Sequence, residues 1–159
     1  MNQPQALTSA SLDEAGSTLN QLIQTCKDRE AGFASAALAV QEPTLRRLLQ
    51  SYSQQRSEFA AELELEVRRM AQDPVQSGHP SAAVHRAWLD IKAGIIGRSD
   101  GEAISQLERA EDRSIDDYQK ALESALPQDL RLIIDRQLTQ MKEVREQLQS
   151  LEQSQGARN

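Results

Sequence analysis

The stretch STLNQLIQTCKDREAGFASAALAV, residues 17–40, decides the fold. Leu19, Leu22, Ile23, Cys26, Phe33, Ala37 and Val40 recur at the three- and four-residue spacing of one helix face, and Glu30 interrupts the run. A second stretch, ISQLERAEDRSIDDYQKAL at residues 104–122, repeats the arrangement: Ile104, Leu107, Ile115, Tyr118 and Leu122 form a stripe broken by Glu111. A carboxylate on a buried face is costly unless a metal ion, an arginine or a shared proton compensates it. Two long amphipathic helices, each with one acid on its apolar side, are the expectation from which the rest of the chain is read.

Working outward, Glu42-Pro43 ends the first helix, because proline suits a first helical turn but cannot continue a preceding one. A second long helix follows with Leu45, Leu48, Leu49, Tyr52, Phe59, Leu63, Val67 and Met70 as its stripe, to about Gln72. Asp73 to Pro80 reads as a loop. A short helix over Ser81–Ile96 carries Val84, Trp88, Ile91 and Ile95 and stops at Gly97. Ser99 or Asp100 caps a third long helix, to about Ala125, and Leu126-Pro127 opens a fourth with Leu130, Ile133, Ile134, Leu138, Met141, Val144, Leu148 and Leu151. Residues 1–16 lack periodicity and read as a flexible arm, residues 17–152 as the bundle, and residues 153–159 as a frayed tail. Two helical hairpins joined by a crossover with its own short helix make an all-α, ferritin-like four-helix bundle.

Composition agrees. Gly (7), Pro (5) and aromatic residues (3%) are too scarce for a rich set of strands and hairpins. The formal net charge of −6 argues against nucleic acid or an anionic membrane as partner. The single cysteine, Cys26, excludes an internal disulfide, and no basic-plus-apolar leader opens the chain, so a cytoplasmic setting is expected.

The segments Lys27-Asp28-Arg29-Glu30-Ala31-Gly32-Phe33, Ala83-Val84-His85-Arg86-Ala87-Trp88-Leu89-Asp90-Ile91-Lys92 and Glu108-Arg109-Ala110-Glu111-Asp112 resemble a bacterial family of ferritin-like four-helix bundles known as a domain of unknown function. The likeness runs from about Leu19 to Leu151 and implies the fold; its members resemble stress-associated and metal-binding bundles in architecture. Where related sequences often carry a histidine in the last long helix, this chain has Arg145.

A carboxylate-bridged di-metal site needs a Glu from each of two helices and a Glu-x-x-His from each of the other two. Glu30 and Glu111 supply the first pair, but Glu58 and Glu143 are followed three residues on by Ala61 and Glu146. A metal reading would therefore rest on Glu30, Glu58, Glu62, Glu108 and Glu111, an oxygen-rich set suited to Mn, with Fe as the redox alternative. The competing reading needs no cofactor. Gln55 and Arg56 lie level with Glu30, and Arg136, Gln137 and Gln140 with Glu111, so amide and guanidinium donors satisfy the acids. Among the other candidates, His85 is expected as a packing histidine, Tyr52 and Tyr118 as core tyrosines near the two acids, and Cys26 as a buried inert thiol. No nucleophile elbow, phosphate loop or zinc spacing is present. The expectation is a non-catalytic bundle acting as an oligomer or interaction module, with a homodimer formed through the short helix and Trp88.

Overall fold

The computed structural model describes residues 8–70, 72, 74 and 99–156. The short helix expected over Ser81–Ile96, with His85 and Trp88, lies outside the described residues. Four long helices account for nearly all of the rest: α1 (Ser9–Ala39), α2 (Pro43–Arg69), α3 (Asp100–Glu123) and α4 (Gln128–Gly156). No strand occurs among the described residues.

α1 begins eight residues before the expected Ser17. Thr8 is its N-cap and accepts a hydrogen bond from the Ser11 N–H at 3.2 Å. The added turns are held by packing of small residues that carry no hydrophobic signal. Ala15 and Gly16 are buried, and the Gln72 side chain lies across Gly16 to donate to the Leu12 carbonyl at 2.8 Å. A Cβ at position 16 would come within 1.6 Å of Gln72 Oε1, so a larger residue there would push the Gln72 side chain aside. At the other end, Pro43 occupies the first turn of α2, and Arg46 closes the corner by donating to the carbonyls of Ala37 and Val40. α4 continues to Gly156, past the expected end near residue 152.

Cross-helix contacts give the directions. Ser53 Oγ donates to the Glu30 carbonyl and Gln72 reaches Leu12, so α1 and α2 are antiparallel. Asp100, the first residue of α3, accepts from the backbone N–H groups of Gln41 and Glu42 at 2.9 and 3.1 Å, while Thr25 meets Asp117. α3 therefore starts at the α1–α2 corner and runs antiparallel to α1 and in the same direction as α2. Tyr118 meets Gln137 on α4 and Asp112 meets Arg145, which makes α4 antiparallel to α3. The two parallel pairs, α2 with α3 and α1 with α4, sit on the diagonals.

The seams differ. α1 and α3 bury small residues, Gly32 and Ala36 on one and Ala103, Ala110 and Ser114 on the other, and touch each other more extensively than α2 and α4 do. Between α2 and α4 contact is sparse and long side chains bridge the gap: Tyr52 to Gln147, and Arg136 and Gln137 to Glu62. The apolar core falls into two clusters. One, at the corner, contains Phe33, Leu49, Tyr52, Ile104 and Leu107. The other, toward the opposite end, contains Leu22, Cys26, Phe59, Leu63, Tyr118 and Ile134.

Candidate functional site: a charged layer in the core

Between the two apolar clusters lie Arg29 of α1, Arg56 of α2 and Glu111 of α3. Arg56 and Glu111 are fully buried. The pair is bidentate and crosses the bundle diagonal: Arg56 Nη1 donates to Glu111 Oε1 at 2.9 Å and Nη2 to Oε2 at 2.7 Å. Arg56 Nε is also used, donating to Gln55 Oε1. Arg29 is 6% exposed and approaches the same carboxylate less closely, with Nε 3.5 Å from Oε1. Its Nε and Nη2 have no hydrogen-bond partner among the described residues. Aromatic faces supply part of what is missing: Phe33 lies 5.1 Å from the Arg29 guanidinium and 5.5 Å from that of Arg56, and Phe59 lies 5.6 Å from Arg56.

Two cations face one anion, so the layer carries an excess positive charge. Burial pulls Arg29 down to about 10, against the attraction of Glu111, and it remains protonated at neutral pH. Around the layer the neutral groups stay neutral. Burial pushes the Cys26 thiol up to about 11, Tyr52 up to about 12, and Tyr118 well above the usual tyrosine range. Tyr118 donates to Gln137 Oε1 at 2.7 Å, which leaves Cys26 Sγ, 3.0 Å away, to donate to the tyrosine oxygen. Gln137 in turn donates to Glu62 at 2.7 Å, extending a hydrogen-bonded chain from the core thiol to a half-buried carboxylate on α2.

The five candidate metal ligands are distributed as follows. Glu111 is in the core, with both oxygens taken by Arg56. Glu30 is only half-buried, and the residue on the central stripe is its neighbour Arg29. Glu58 is exposed and accepts from Gln54. Glu62 bonds to Arg136 and Gln137, and although burial acts upward, these bonds hold its carboxyl below the usual range. Glu108 sits at the α3–α4 seam within 3.9 Å of Arg145, and its hydrogen bond to Glu152 raises its carboxyl. Among the described residues no three His, Cys, Asp or Glu side chains are placed to hold a metal ion. The donor chemistry of the core does not fit a divalent cation, because the carboxylate is neutralised and the local excess is positive.

The expected donors of the two acids are corrected. Arg56 satisfies Glu111, not Glu30, and Arg136 and Gln137 serve Glu62 and Tyr118, not Glu111. Arg56 reaches the diagonal helix because its long side chain spans the core. The signal for a buried Arg29 is present in the sequence. Leu22, Cys26, Arg29, Phe33, Ala36 and Val40 alternate by four and three, so the arginine occupies the stripe and Glu30 its edge. Tyr52 and Tyr118 are core tyrosines whose hydroxyls bond Gln147 and Gln137, and Cys26 is a buried free thiol.

Residues 14–124 match the family model described as a domain of unknown function, DUF2383. The chain belongs to the DUF2383 family. No curated protein matches it. The DUF2383 match takes in most of α1, all of α2 and α3, and thus the whole Arg29–Arg56–Glu111 layer with Cys26, Tyr52 and Tyr118. Gln137 and Arg136, the α4 partners, lie beyond the matched residues. No described helix of this DUF2383 chain is long and apolar enough to cross a membrane.

Proposed function

We propose that this protein is a non-catalytic, ferritin-like helical bundle that acts in the cytoplasm as an interaction module or oligomer. One observation carries the reading: the most buried carboxylate, Glu111, spends both oxygens on Arg56 beneath a second arginine. A group committed in this way ties α1, α2 and α3 together, and each of its oxygens already faces a guanidinium. The ferritin-like connectivity is supported by the common direction of α2 and α3, which start at the same corner, since Asp100 touches Gln41 and Glu42.

Melting curves of the tag-free protein with and without Mn²⁺ or Fe²⁺ test the non-metal reading. The expected outcome is no metal-dependent shift, since a ligand that binds only the native state must raise the melting temperature. A rise of several degrees that Glu111→Gln or Glu30→Gln erases would overturn it.

A further inference from the structure

The sparse α2–α4 seam opens near the corner into a groove of about 570 Å³, lined by Leu48 of α2 and by Glu143, Glu146, Gln147, Ser150 and Leu151 of α4. Its floor and rim differ in chemistry. Leu48 and Leu151 are partly buried and pack on the corner cluster, so the floor is a continuation of the core brought to the surface. Among the described residues, the charged side chains lining it are Glu143 and Glu146. They stand one helical turn apart, both exposed, and carry no ion pair among the described residues. The adjacent Arg145 is committed to Asp112 and Glu108 on α3. The volume falls within the roughly 300–1,000 Å³ usual for ligand sites, but the groove is shallow and runs along two helices.

We infer that this groove binds a basic amphipathic helix of a partner protein. Leucine-sized side chains at helical spacing would cover Leu48 and Leu151, and Lys or Arg on the helix flank would pair with Glu143 and Glu146. The charge pattern selects this occupant: an acidic rim without a basic lining residue repels an acidic helix and attracts a basic one. The inference rests on the interaction-module reading and names its partner class.

The test is fluorescence anisotropy with a labelled synthetic Leu/Lys amphipathic helical peptide, and a Leu/Glu peptide of the same pattern as control. The full chain should bind the first saturably, one peptide per chain, and not the second. Glu143→Lys/Glu146→Lys and, separately, Leu151→Ser should each weaken binding at least about tenfold. Asp129→Lys/Asp135→Lys makes the same charge change at the other end of α4 and should alter affinity less than about twofold. Equal loss in both charge variants means general attraction to an acidic chain and overturns the inference. So does binding of the Leu/Glu peptide, or the absence of saturable binding because another stretch of this chain covers the groove. A dimer in light scattering that Leu151→Ser dissociates assigns the groove to a second copy and overturns it too. None of these readouts involves the core layer, so a failure here is separate from a metal-dependent melting shift.

Discussion

Removing one charge from the core layer should have an effect that depends on which charge is removed. The Arg56–Glu111 pair has contacts of 2.7 and 2.9 Å with both groups fully buried. Two unit charges about 3 Å apart at an effective dielectric of about 20 attract by roughly 5 kcal/mol, and the cost of taking both from water offsets most of this. Breaking the pair while leaving its partner buried therefore costs about 3–5 kcal/mol, although the intact pair is worth little against apolar residues. Glu111→Gln leaves two guanidinium groups facing a neutral amide, and Arg56→Met leaves Glu111 with only Arg29 at 3.5 Å. Each should lose about 3–5 kcal/mol in urea unfolding, roughly 10 °C in melting temperature for a chain of this size. Arg29→Met is different. It removes the cation whose Nε and Nη2 have no hydrogen-bond partner among the described residues and leaves a neutral bidentate pair, so its cost should be below about 1 kcal/mol, or stability should rise. The triple replacement of Arg29, Arg56 and Glu111 by Met should recover most of what the single Arg56 change loses. The decisive quantity is the difference between the two arginine variants at unchanged m-value. If Arg29→Met costs as much as Arg56→Met, the charge count used here is wrong.

Alkaline stability should depend on Cys26. Its thiol goes from 9.0 up to about 11 by burial, so below pH 9 it is protonated whether the chain is folded or not. Its contribution is then full. As the pH rises from 9 past 11 the unfolded chain loses the proton first, and up to about 3 kcal/mol of stability is lost. Urea midpoints at pH 8 and pH 10.5 should fall more steeply for the native protein than for Cys26→Ala, and equal slopes would contradict the assignment. At the corner, Asp100→Ala frees the N–H groups of Gln41 and Glu42 and should cost about 1–2 kcal/mol in urea unfolding, with Asp100→Asn in between. A loss under about 0.3 kcal/mol would mean that solvent replaces the carboxylate at no cost.

The helices were legible because their signals are local. The stripe from Leu19 to Val40, Pro43 at the first corner and Pro127 at the second act through spacing and backbone geometry within a few residues. The first turns of α1 were not legible, because Ala15 and Gly16 are held by a side chain from position 72, far away in sequence. The same limit governs the site. Periodicity correctly marked Glu111 as buried, since that depends on one helix. Its partner depends on which helices share a diagonal, and levels counted along neighbouring helices do not contain that information. Arg29 differs: it obeys the four-and-three alternation, but its charge hides it from a search for apolar periodicity, while the acid beside it lies at the edge of the stripe. Since a long cation can bury its stem and head against Phe33 and a carboxylate, an arginine on the alternation should be weighed as a core residue whenever an acid elsewhere interrupts an apolar stripe. In this chain that rule pairs the buried acid with arginine and leaves Glu143 and Glu146, which form no ion pair among the described residues, on the surface.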